Sequence, residues 1–157
     1  MPNYIKDLRK KIGHDPIFVP AVGAIIYRDG KILMQKRADD GTWATHGGAI
    51  EFGETLEQAL ERELKEEINV KPINSQFLGI YSGEKLYHEY PNKDKVYLIS
   101  TFFVIEDYEG EPKIDEDEVL DLKWFDINDM PDNLFNIDVY ALNDFKEYLK
   151  NKKIIVN

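Results

Sequence analysis

The sequence predicts an α/β protein, of the α+β kind, in which a mixed β-sheet is covered by helices on its faces. Apolar, β-branched stretches bounded by turn residues lie before, between and after two segments whose apolar residues recur at helical spacing. The 157 residues show no internal repeat and no low-complexity linker, so residues 1–157 read as one domain. A chain of this length buries roughly two-thirds of its unfolded surface, enough for one real core.

Residues 1–16 are polar and read as an N-terminal arm or short helix, with Pro16 and Pro20 marking the entry to the core. Residues 19–27 carry Val22, Ile25, Ile26 and Tyr27, side chains that suit a strand. Asp29-Gly30 is a hairpin signal, and residues 31–36 form the second strand. A polar loop covers 37–41, and the Gly47-Gly48 pair makes 43–52 short extended pieces around a tight turn. A helix follows over 55–68, because Leu56, Ala59, Leu60, Leu64 and Ile68 share one face. Further strands are read at 73–81, 95–105 and 119–125, and one helical turn at 126–130. Val139, Leu142, Phe145 and Leu149 predict a C-terminal helix over 138–150.

Composition narrows the function classes. The chain has no Cys, which removes disulfides, thiolate metal sites and Cys nucleophiles, and its three His make structural zinc an unlikely design. Nothing at the N-terminus resembles a signal peptide, and no stretch approaches the roughly 18 apolar residues of a membrane span, so a cytoplasmic address and no membrane partner are expected. A net charge of −10 argues against a nucleic-acid-coating surface. It leaves room for a small anionic substrate, provided that divalent cations sit between carboxylates and phosphates. For the chain as a whole, solubility alone is the preferred reading of the acidity.

The informative stretch is GAIEFGETLEQALERELKEEINV, residues 48–70. Glu63, Glu66 and Glu67 stand at i, i+3 and i+4, on one side of a helix whose apolar stripe faces elsewhere. Carboxylates converging beside a glycine turn make a hard oxygen site of the kind that Mg²⁺ or Mn²⁺ prefers. An ordinary solvated acidic face is the competing reading. The stretch resembles the Nudix hydrolase signature. Gly48 is followed after five residues by Glu54 and, seven residues later, by Arg62 and Glu63; then come Leu64, the pair Glu66 and Glu67, and the closing Val70. One defined position departs, Asn69 where the family has Gly. Asn is the commonest substitute in the left-handed conformation expected just past a helix end. His46 also stands before the glycines where many relatives have Pro; a structural role is favoured for it over substrate contact.

The resemblance implies a Nudix-like α/β/α sandwich and a MutT-like pyrophosphohydrolase dependent on Mg²⁺ (or Mn²⁺). Such an enzyme cleaves a nucleoside diphosphate linked to another moiety X: a dNTP, ADP-ribose, a dinucleoside polyphosphate or a nucleotide sugar. By position in the motif, Glu63 and Glu67 are the central metal ligands, with Glu66 and the Gly48 carbonyl as further ligands. Glu54 is an outer carboxylate that acts through water or pairs with Arg62. Arg62 either takes part in the catalytic site or, as is favoured, orients carboxylates through ion pairs. The general base is Glu63, Glu116 or Glu118. Glu118, six residues before Trp124, is the choice, against a solvated acidic loop.

Substrate choice lies outside this segment. Tyr87 stands at a spacing like that of a tyrosine in dinucleoside polyphosphate hydrolases, within the aromatic and lysine-rich residues 87–97. That loop either stacks a base and touches phosphate or simply connects two strands. Lys36 and Arg37 are candidates for phosphate contact, with surface charge as the alternative. Trp43 and Phe52 are read as packing residues. Two other readings compete: a non-catalytic Nudix-like binding or regulatory module, disfavoured because every carboxylate is kept, and an isoprenoid diphosphate isomerase, disfavoured by the missing Cys. Relatives are often homodimers, and nothing in the sequence settles whether this chain is one.

Overall fold

The computed structural model describes residues 3–151 and 155–156. Among these described residues, nine strands form one mixed sheet with helices on both faces. Strand β1 (Ile17–Arg28) lies at its centre, antiparallel to β2 (Lys31–Arg37) and parallel to β7 (Lys95–Glu109). Asp29 and Gly30 both take positive φ, 52° and 79°, as a two-residue hairpin turn requires. Beyond β7 lie β5 (Lys71–Tyr81) and the short parallel strand β9 (Ile155–Val156). On the other side β2 pairs with β3 (Trp43–Ala44) and β8 (Val119–Asp126), and the short β6 (Tyr87–Glu89) pairs with β7.

Strand β1 is buried over six consecutive residues because both sheet faces are covered. Ala21 and Ile25 turn to one face, under helices α1 (Asn3–Ile12) and α3 (Val139–Asn151). Val22, Ala24 and Ile26 turn to the other, under α2 (Leu56–Ile68) and its Ala59, Leu60, Leu64 and Ile68. This alternation, with period 2 across the sheet, makes the layered α/β/α sandwich.

The observed elements extend the sequence reading and correct it in places. The arm over 1–16 contains α1. Residues 126–130 are not a helical turn: Asp126 closes β8 and a plain turn follows. Asp138 belongs to a 3₁₀ turn, Asn136–Asp138, which leads directly into α3. Strands β6 and β9 were not foreseen, being three and two residues long. Among the described residues, no helix is long and apolar enough to cross a membrane.

The site hangs on β4 (His46–Ala49), which runs antiparallel to β1. Gly47 has φ of 148°, and a β-carbon there would come within 2.0 Å of the Val22 carbonyl oxygen, so only glycine lets the two backbones approach this closely.

Candidate active site

Helix α2 starts on a reciprocal cap. The Thr55 hydroxyl accepts from the Gln58 N–H at 3.2 Å, while the Gln58 side chain accepts from the Thr55 N–H at 2.9 Å. It ends on Asn69, whose φ of 60° and ψ of 34° are left-handed, as its replacement of Gly led one to expect. Both ends are therefore locally determined, and the orientation of every carboxylate on the helix follows from them.

The three acidic residues do not share one environment. Successive helical residues are about 100° apart, so Glu66 and Glu67 point in clearly different directions. Glu67 is 9% exposed at its side chain, Glu63 12% and Glu66 59%. Glu67 accepts from the Gln35 amide at 3.1 Å and from the Gly47 N–H at 3.2 Å. Glu63 lies against Gly48, where an added β-carbon would meet its carboxyl at 2.6 Å. Burial raises the pKa of both, well above the ordinary value for Glu67, with the Glu63 charge adding to the effect at Glu67.

Arg62 is a hub. It donates to Glu54 Oε1 at 2.5 Å and Oε2 at 3.0 Å, to Glu63 at 2.8 Å, to Glu66 at 3.3 Å and to the Ala49 carbonyl at 3.0 Å. The hydrogen bond to Arg62 holds the Glu54 carboxyl below its usual range. Arg62 thus positions carboxylates and ties the Gly47–Gly48 turn to α2.

A cavity of about 240 Å³ opens beside this cluster. It is bordered by Glu63, Glu67, Gly48 and Glu118, and on another side by Arg37, Tyr90, Asp138 and two residues of α1. Glu118 is brought to the same cavity as Glu63 and Glu67, whereas Glu116 does not border it. Arg37 reaches the cavity with its guanidinium 4.2 Å from the Phe135 ring, but both Nε and Nη2 already donate to Asp39. Tyr87 is placed elsewhere. Its ring stands against Tyr97 at 5.1 Å and its hydroxyl turns to Glu89. Tyr90, three residues on, borders the cavity instead. Phe52 is 82% exposed and stacks on Tyr4, and Trp43 packs on Phe125.

The model of the NUDIX domain matches residues 17–145, which carry strands β1 to β8, α2 and most of the cavity lining. The chain belongs to the Nudix hydrolase family. It is 37% identical over 120 residues to an ADP-ribose pyrophosphatase of Methanocaldococcus jannaschii, covering 74% of this chain and 66% of that protein. It is 38% identical over 96 residues to the 8-oxo-dGTP diphosphatase of Escherichia coli, covering 59% of this chain and 68% of that one. The chain spans about two-thirds of the length of both relatives. Among solved structures, a MutT NUDIX hydrolase from Burkholderia pseudomallei superposes with a TM-score of 0.71 at 26% identity, covering 82% of this chain and 98% of that one. Membership sets the chain among hydrolases of phosphoric anhydride bonds, a family that works with divalent metal ions.

The Nudix residues present fit such an ion. The Glu67 carboxylate is buried and meets the Gly47 N–H, the Glu63 carboxylate is largely shielded in the room left by the missing β-carbon of Gly48, and both gain from a neighbouring cation because burial disfavours their bare charge. Among the described residues, no three Asp, Glu or His side chains meet closely enough to hold an ion by themselves.

Three residues of the site escaped the sequence reading. Gln35 holds Glu67 and also donates to the Thr45 carbonyl at 3.3 Å. Asp138 is buried, accepts from the Thr45 N–H at 2.7 Å, and has its pKa raised by burial to about 6. Tyr90 is the third. Only the alternation of the 31–36 strand could have pointed to Gln35; nothing local marks Asp138. His46 is buried at the cavity wall. Its Nε2 bonds the Leu33 carbonyl at 3.0 Å, and burial lowers its pKa to about 4, so the ring is neutral.

Proposed function

We propose that the chain is a Mg²⁺-dependent pyrophosphohydrolase that cleaves a nucleoside diphosphate linked to a further group X. One observation carries this reading: Glu63 and Glu67, one turn apart on α2, both lie against the Gly47–Gly48 turn and share a cavity with Glu118. Glu63, Glu67 and the Gly48 carbonyl would hold the ion, with Glu66 reaching it through water. Bound Mg²⁺ or Mn²⁺ neutralises the diphosphate and lowers the pKa of water.

The chain's own residues do the rest. Gln35 and the Gly47 N–H fix the Glu67 carboxylate, and Arg62 fixes Glu63. Glu118 accepts the proton of the attacking water as its oxygen bonds to phosphorus and the bridging oxygen departs with the other phosphate. Arg37 supplies positive charge at the cavity edge once a phosphate competes with Asp39 for it. Tyr90, rather than Tyr87, offers an aromatic face to the nucleoside. The names of the relatives favour ADP-ribose and dNTP-like substrates.

The test is a product-release screen over nucleoside triphosphates, dinucleoside polyphosphates, ADP-ribose and nucleotide sugars, with and without Mg²⁺. Turnover of at least one class, dependent on Mg²⁺ and reduced in Glu67→Gln by about a hundredfold or more, is expected. Metal-independent turnover, or full turnover by Glu67→Gln, would discard the reading. Size-exclusion chromatography with light scattering decides between monomer and homodimer.

A further inference from the structure

Helix α1 ends before the family match begins at residue 17, yet it forms part of the cavity. Ile5 and Arg9 stand one turn apart on one face of the helix, and both border the space that holds Glu63, Glu67 and Glu118. Ile5 is buried in the same apolar cluster as Ala21, Leu98 and Phe102, which line the floor of that space.

A helix laid on a sheet for stability alone needs only its apolar face, but Arg9 is 10% exposed at its side chain. Its guanidinium donates to the carbonyl oxygens of Gly13 at 3.1 Å, Asp15 at 2.5 Å and Lys95 at 2.7 Å. It also stands 3.6 Å from the Asp94 carboxylate, which is itself held by His14 at 2.7 Å and Asn92 at 3.1 Å. Near the start of the helix, Tyr4 stacks on Phe52 with ring centroids 4.5 Å apart, on the turn that leads into α2. The helix is therefore fastened both to the β6–β7 connection and to the entrance of the carboxylate helix. Its distance from the cavity floor is set by bonds that a helix serving only as a lid would not need.

We propose that α1 is a specificity wall of this Nudix cavity. Ile5 sets the size of the group admitted beside the diphosphate, and Arg9, paired with Asp94, is the positioning residue that holds the wall at that spacing. The inference rests on the cavity being the nucleotide site.

Full-length Ile5→Ala and Ile5→Phe test it, with Ile5→Val as a milder deletion that preserves folding. Calorimetry with Mg²⁺ measures the affinities of two methylene-bridged analogues, one of a nucleoside triphosphate and one of a bulkier dinucleoside polyphosphate. The ratio of bulky to small affinity should rise about tenfold in Ile5→Ala, rise less in Ile5→Val and fall by a similar factor in Ile5→Phe. A loosened fold would move all variants the same way, so opposite directions are diagnostic. Arg9→Met should weaken the discrimination itself, bringing the ratio toward that of Ile5→Ala. Unchanged ratios in folded variants overturn the proposal. If the analogues bind and respond but nothing is hydrolysed, the wall stands and the hydrolase reading falls; if neither analogue binds the wild type, both fall.

Discussion

Gln35 of β2 and Glu67 of α2 meet between the sheet and the helix that covers it, the amide Nε2 donating to the carboxylate at 3.1 Å while the same nitrogen holds the Thr45 carbonyl at 3.3 Å. Both side chains are buried, and neither acceptor leaves the amide free to turn. The direction of a proposed metal ligand thus depends on a residue of β2, 32 positions away in the chain. Gln35→Met keeps the volume and removes the donor. Mn²⁺ affinity, followed by the paramagnetic signal of the free ion, should fall about ten- to a hundredfold, as for other groups that orient metal ligands. Unaltered affinity would reduce Gln35 to a space-filling residue.

Gly48 is required for a different reason. Its φ is not left-handed, so Ala is compatible with the backbone, but the added β-carbon would meet the Glu63 carboxyl at 2.6 Å. The end of a side chain yields more easily than backbone. Gly48→Ala should therefore leave the melting temperature nearly unchanged while turnover falls about a hundredfold, because a misdirected ligand costs more than a displaced side-chain tip. Thermal melts and kcat measured on the same preparation separate the two effects.

Asp138 makes stability depend on pH in an unusual direction. Burial raises its folded pKa from 3.8 to about 6, so the folded state holds the proton more tightly than the unfolded chain. That contribution is fully present below the unfolded value and is lost as pH rises through about 6. Asp138→Asn cannot titrate, yet its amide oxygen can still accept from the Thr45 N–H. The difference in unfolding free energy, wild type minus variant, should fall by roughly 2–3 kcal/mol between pH 4 and pH 7. Urea titrations across that window measure it; a flat difference would show that Asp138 is better solvated than its burial implies.

Asn69 tests the helix end. Gly would take φ of 60° without steric cost but would lose the side-chain bonds to Lys65 at 2.9 Å and to the Glu111 carbonyl at 3.5 Å. These bonds are exposed and weak, so Asn69→Gly should be neutral or stabilising by up to about 1 kcal/mol. A clear fall in melting temperature would mean that the tie to Glu111 matters more than the left-handed conformation.

The parts of the site that were legible in the sequence are those that one helix determines. The spacing from Gly48 through Glu67, the cap at Thr55 and the left-handed Asn69 all arise from interactions between residues near in sequence. The sequence did not show that Tyr90, and not Tyr87, borders the cavity. Side chains alternate along a strand, and the pairing of Tyr87 with Tyr97 and of His88 with Val96 sets which face each one takes. No local pattern in an aromatic-rich segment contains that register.

By itself, then, the sequence determined the layered α/β class, the helix that carries the carboxylates, and the family to which the chain belongs, because apolar periodicity and motif spacing are properties of contiguous residues. Only the tertiary structure decided that Glu67 is buried while Glu66 faces solvent, that Gln35 and Asp138 join the site, and that α1 borders it. Each of these depends on how far one element is rotated against another, and that rotation is settled by packing across the whole sheet.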